Sequence, residues 1–95
     1  MLIQHKEEGH KGSFYVEENG NVLAEMTYSM TGDKLLIIEH TEVSDALRGK
    51  NVGYQLVHSA VEFARSNQLK ILPLCPFAKS VFNKKKDEFG DVLRN

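Results

Sequence analysis

Leu47-Arg48-Gly49-Lys50-Asn51-Val52-Gly53-Tyr54 joins two patterned stretches. Before it runs the apolar Leu35 to Ile38 with its polar continuation to Val43, and after it a helical pattern that extends to about Asn67. Strand, glycine-containing turn and helix start is the arrangement that receives a phosphate. The first-turn N–H groups of a helix lack intrahelical acceptors, and the aligned peptide dipoles place partial positive charge there. Gly49 and Gly53 leave the backbone uncovered, so that an anion can approach closely. Arg48 and Lys50 bring full charges beside it. The stretch points to a phosphate-bearing ligand, with a plain glycine turn before an ordinary helix as the alternative.

The chain has 95 residues, enough for one small domain over 1–95 and near the lower limit for a core that folds alone. A net charge of −1 gives no global electrostatic case for binding nucleic acid or a membrane surface. The single cysteine, Cys75, cannot form an internal disulfide, and no run has the length of a membrane span or the pattern of a signal peptide. A cytoplasmic protein, monomeric or weakly dimeric, is expected. No repeat, low-complexity segment or linker divides the chain.

Taken in order, Met1 to Gln4 can begin a short strand, and the polar His5 to Gly12 reads as a loop. Phe14 and Val16 alternate with Ser13, Tyr15 and Glu17, the period of a strand. Asn19-Gly20 then marks a hairpin. In the strand that follows, Val22, Ala24, Met26, Tyr28 and Met30 share one face, and Thr31-Gly32-Asp33 makes the next turn. Leu35 to Ile38 is apolar at every position and is expected at the sheet centre, covered on both sides.

Val52, Leu56, Ala60, Phe63 and Ala64 form the helix stripe, with Val57 and Val61 alongside and Asn67 as C-terminal cap. Lys70 to Cys75 is a second strand, and strand-helix-strand implies parallel pairing with a right-handed crossover. Pro73 cannot donate to a ladder, so one side of that strand is open there. Pro76 suits the first turn of a last helix, whose apolar stripe is Phe77, Ala78, Val81 and Phe82. Lys84 to Lys86 closes it, and Phe89, Val92 and Leu93 supply a short packed tail. The fold class is α+β: a mixed sheet of antiparallel N-terminal hairpins, a parallel strand-helix-strand unit and a C-terminal helix.

The spacing from Arg48 to Gly53 resembles the coenzyme A pyrophosphate loop of the GNAT superfamily of acyl-CoA-dependent N-acyltransferases. That loop reads Gln or Arg, two residues, Gly, one residue, then Gly or Ala. Asn51 stands where its first glycine is usual, and Asn tolerates the left-handed conformation better than other non-glycine residues. Cys75-Pro76-Phe77-Ala78 through Phe82-Asn83-Lys84 is similar to the family's later Asn-x-x-Ala-x-x-(Phe/Leu)-Tyr-x-Lys, with Cys75 for the asparagine and Phe82 for the tyrosine.

With His40-Thr41-Glu42-Val43, Leu47-Arg48-Gly49-Lys50 and Pro73-Leu74-Cys75, the chain resembles the minimal single-domain acetyltransferases of that superfamily. The resemblance implies acetyl-CoA as co-substrate, bound by Thr41, Glu42, Val43, Arg48, Gly49, Lys50, Asn51, Val52, Gly53, Tyr54, Cys75 and Phe82. It also implies two splayed parallel strands with the pantetheine arm between them. The acceptor it implies is an amine, on a small molecule or a protein.

Acyl transfer needs a neutral amine, a thioester held near it and a group that takes a proton. Histidine has a reference pKa near 6.5, which makes His40 a candidate base, with Glu39 and Glu42 as competitors and a solvated strand end as the plain alternative. With Phe82 in place of the usual tyrosine, Cys75 is the candidate nearest the thioester sulfur. A helix N-terminus lowers a thiol's pKa. Cys75 can donate a proton, form a transient acyl-cysteine, or only line the pocket as a small buried hydrophobe. His5, His10 and His58 lack metal-ligand spacing with each other or with Cys75, so no metal site is expected. The second reading is a coenzyme A-binding module that is catalytically silent, because Asn51 and Phe82 replace the expected residues.

Overall fold

The computed structural model describes residues 1–32 and 34–94; the turn expected over Thr31-Gly32-Asp33 therefore lies partly outside the described residues, at Asp33. Five strands form one sheet in sequential order: β1 (Gln4–Glu8), β2 (Lys11–Glu18), β3 (Asn21–Thr31), β4 (Leu35–Val43) and β5 (Lys70–Pro73). The first four pair antiparallel, and β4 and β5 pair parallel. Asn19 and Gly20 both have positive φ (53° and 82°), so the β2–β3 connection is the hairpin turn the dipeptide indicates. The polar stretch His5 to Gly12, expected as a loop, is strand at His5 to Glu8 and again from Lys11, with the turn confined to Gly9 and His10. His5 explains why: its ring stacks on Phe14 at 4.2 Å and its Nε2 lies 2.6 Å from the Tyr28 hydroxyl, so one polar residue carries the packing of the edge strand. Burial lowers the His5 pKa and pushes the Tyr28 phenol up to about 12.

Helix α1 (Val52–Asn67) crosses between β4 and β5 and lays Val52, Leu56, Val57, Ala60, Val61 and Ala64 on the sheet. Beneath it lie Phe14, Val16, Ala24, Met26, Tyr28, Leu36, Ile38 and Ile71, all buried. Its C-terminal cap is Gln68, at φ 58°, and not Asn67, whose side chain donates to the Phe63 carbonyl instead. Helix α2 (Pro76–Lys84) packs beside α1 on the same face. A four-residue helix, α3 (Lys86–Phe89), and a 3-10 turn (Gly90–Val92) follow, and Leu93 bridges to Ile71 on the outer edge of β5. Phe89 and Val92 are buried, so the tail belongs to the core.

The opposite face of the sheet has no helix over it among the described residues. Leu36 and Ile38 are fully buried, but Leu35 and Ile37 are only partly so. The expectation that β4 is covered on both sides is thus corrected. Its apolar run pairs on both edges, with β3 and β5, but is roofed on one face only.

Candidate functional site

The loop before α1 is built by short-range bonds. Ser44 caps a 3-10 turn (Asp45–Leu47), its hydroxyl accepting from the Ala46 N–H at 3.2 Å, and buried Leu47 anchors it. Gly49 at φ 81° and Asn51 at φ 59° then reverse the chain into the helix. Asn51 takes the left-handed conformation that only glycine, Asn and Asp adopt readily. Its side chain makes no cap, and the first helical bond is Gln55 N–H to Asn51 carbonyl at 3.2 Å. The N–H groups of Val52, Gly53 and Tyr54 precede that bond and have no intrahelical acceptor. Arg48 and Lys50 are exposed, the Arg48 guanidinium donating to Asp45 at 2.8 Å. Val52 is buried and supports the loop from below.

A groove of about 250 Å³ runs from this helix start to α2, lined by Asn51, Gly53, Tyr54, Phe77, Val81, Lys84 and Lys85. The Phe77 ring lies directly against Gly53, where a Cβ would collide with it. Gly53 therefore makes room for an aromatic ring, which corrects the expectation that its Cα is left open. Phe77 and Val81 read as part of a core stripe, but α2 buries only Ala78 and Phe82. Phe82 packs in the core, edge-on to Phe89 at 6.0 Å, rather than in the groove. Lys85 lies over the Tyr54 ring at 5.3 Å, and the Tyr54 hydroxyl donates to Glu88, which raises the phenol's pKa. Arg65 ties this corner together, reaching Asp91 and the Glu88 carbonyl and holding the Asp91 carboxyl below its ordinary range.

The strand ends complete the site. β4 and β5 pair as far as Ile38 and Pro73, with one further bond from Leu74 N–H to the Ile38 carbonyl. Beyond that β4 continues alone on this side to Val43, as β5 turns into α2. A bulge sits at this point. Thr27 opposes His40 while Tyr28 opposes Ile38, so Glu39 is the extra residue.

The bulge changes which face each side chain meets. Thr41 points to the helices, where its hydroxyl lies 3.3 Å from the Cys75 sulfur. Cys75 is buried and caps α2, accepting from the Ala78 N–H at 3.4 Å. His40 and Glu42 point to the open face, joined at 2.9 Å, and Glu39 accepts from the Ser29 hydroxyl at 3.1 Å. Thr41 and Cys75 are therefore brought together, and His40 stands on the other side of the same strand. Val43 is exposed at the strand end.

The cap gives Cys75 a structural duty that can be measured. Cys75→Ser should fold about as well as the parent, because serine is a better helix cap than cysteine's weakly accepting sulfur. Cys75→Ala should lose about 1 kcal/mol, the typical cost of deleting an N-cap. Equal urea midpoints for the two variants would mean that the sulfur caps nothing.

A family model described as GCN5-related N-acetyl-transferase matches residues 13–92. A GCN5-like protein of Staphylococcus aureus solved by NMR is 39% identical, superposes with a TM-score of 0.71, and covers 97% of this chain and 88% of its own. Protein NATD1 of Gallus gallus is 31% identical over 74 residues, 77% of this chain and 67% of that protein. The aminoglycoside N-acetyltransferase AAC(6')-Iy in complex with CoA shares the fold at 14% identity, with a TM-score of 0.58 over 79% of this chain and 66% of its own. With 80 of its 95 residues inside the family model and this sheet order, the chain belongs to the GCN5-related N-acetyltransferase family.

Proposed function

We propose that this protein transfers the acetyl group of acetyl-CoA to an amine, holding the coenzyme's pyrophosphate at the start of α1. One observation carries the reading: a sixteen-residue helix begins at a left-handed Asn51 with no side-chain cap, facing Lys84 and Lys85 across a groove. Uncapped first-turn donors opposite two cations suit an anion of charge −2. The thioester arm would pass between β4 and β5, where Glu39 to Val43 has no partner strand on that side. The acetyl carbon would then meet Thr41 and Cys75 on the helix side and His40 on the open side.

In the reaction the amine nitrogen forms a bond to the thioester carbon, and the carbon–sulfur bond breaks. The amine's proton passes to His40, and the departing sulfur takes one from the Cys75–Thr41 pair. Removing Cys75 should therefore lower turnover more in the Ala variant than in Ser, with acetyl-CoA affinity kept. A catalytically silent coenzyme-binding module is the second reading, favoured by the burial of Phe82 where the family's tyrosine is usual. Thiol release from acetyl-CoA across a panel of amines separates the two.

Gly53→Asp tests the coenzyme loop. An aspartate in the first turn suits the helix dipole, so the helix itself should tolerate it. The carboxylate would compete with the pyrophosphate, and its Cβ would displace Phe77. Acetyl-CoA affinity should fall by at least ~2 kcal/mol, more than ~10-fold. Gly53→Ala moves the ring without adding charge and should cost less. Calorimetry with unchanged affinity in a folded Gly53→Asp protein would remove the coenzyme from this loop.

A further inference from the structure

We propose that the amine acceptor is a small dicationic amine, a linear diamine or polyamine, read by the open face of the sheet. This rests on the acetyl-transfer reading and names the substrate class for it. Glu25 and Glu42 are direct cross-strand partners, an arrangement of like charges that destabilises a sheet. The described open-face positions of β3 and β4 offset them with no lysine or arginine. Among the described residues Glu25 pairs only with Lys6 of β1, at 3.8 Å, and Glu42 only with His40. Glu39 adds a third carboxylate beside His40. A bound ammonium group would remove the conflict.

Ser13 points to the same side independently of the carboxylates. It is 2% exposed, and its hydroxyl has no hydrogen-bond partner among the described residues. A buried unpartnered hydroxyl carries a desolvation cost with nothing in return. Ser13 opposes Thr27, which opposes His40, so the three stand in one row across β2, β3 and β4. Ser13, Thr27 and Glu25 line a cavity of about 210 Å³ together with Glu7, Glu8, Lys6 and Lys11, so carboxylates outnumber the ammonium groups around it; Glu25 is also a wall of a second, of about 360 Å³, that reaches Glu42. Adjacent strands lie ~4.8 Å apart, which puts Ser13 roughly 10 Å from His40. An aliphatic chain with one nitrogen at His40 and a second between Glu25 and the Ser13 hydroxyl spans that distance. Lys6 would yield its place at Glu25 to the second ammonium.

The test compares, with saturating acetyl-CoA, an aliphatic diamine, the monoamine of equal chain length and the corresponding ω-amino acid. The diamine should exceed the monoamine in kcat/KM by roughly tenfold, the order of one charge-assisted hydrogen bond. The ω-amino acid should be the poorest. In Glu25→Gln and Ser13→Ala the diamine-to-monoamine ratio should fall toward one. Because the readout is a ratio within one variant, partial unfolding does not imitate it. Equal rates for diamine and monoamine in the parent would overturn the proposal and leave acetyl transfer standing. If no amine is turned over, an NMR titration with the diamine alone decides. Shifts at Ser13, Thr27 and Glu25 that vanish in Glu25→Gln would uphold the binding face while the transfer reading falls. Absence of those shifts would overturn the proposal as well.

Discussion

His40→Gln should lower turnover with a saturating amine by about 10²–10⁴-fold, the usual contribution of a positioned general base. Acetyl-CoA affinity should stay near the parent value, because His40 faces away from the groove at α1. Glutamine keeps the size and one hydrogen bond to Glu42, so the open face should hold its shape. What it loses is the ability to accept the amine's proton. With His40 as the base, Glu42→Gln should have a smaller effect, since Glu42 then acts only through its 2.9 Å contact with the ring. Normal turnover in His40→Gln would pass the role to Glu39, to Glu42 or to solvent.

Phe89→Ala should destabilise the fold by about 3–5 kcal/mol, the range for truncating a buried phenylalanine. Phe89 is fully buried in a four-residue helix near the chain end, where local propensity contributes almost nothing. Its ring lies 5.5 Å from Tyr54, 6.0 Å from His58 and 6.0 Å from Phe82, so one residue joins α1, α2 and the tail. Small domains hold only about 5–15 kcal/mol in total. Truncation should thus shift the urea midpoint strongly and weaken acetyl-CoA binding by loosening the first turn of α1. Phe89→Leu, which keeps most of the volume, should cost less. An unfolding free energy for Phe89→Ala within about 1 kcal/mol of the parent would mean the tail stands outside the cooperative core.

Much of this architecture is written in local chemistry. Asn19-Gly20 specifies its hairpin because both positions need positive φ. The stripe from Val52 to Ala64 specifies α1 and its buried face, because 3.6 residues per turn leave one way to bury those side chains. Asn51 before Gly53, with Arg48 upstream, marks a left-handed entry into that helix, which the backbone adopts. Pro73 marks where β5 stops pairing. These features depend on residues a few positions apart, and such patterns survive in a linear string.

Other features depend on pairs of residues far apart, which periodicity cannot reveal. His5 looks polar and becomes a strand residue only because Phe14, Tyr28 and Phe63 receive its ring. Gly53 looks like an opening for an anion, and Phe77 of another helix fills the space over its Cα. The largest divergence is at the end of β4. Alternation continued from Leu36 and Ile38 would put His40 on the helix side, next to Cys75. One extra residue, Glu39, opposite the step from Thr27 to Tyr28 turns His40 to the open face and Thr41 to Cys75. A bulge is set by how two strands register against each other, and side-chain alternation has period two, so a single unpaired residue reverses every position beyond it. The sequence alone thus named the residues of the strand end, and tertiary pairing decided which of them meets the thiol and which meets the open face.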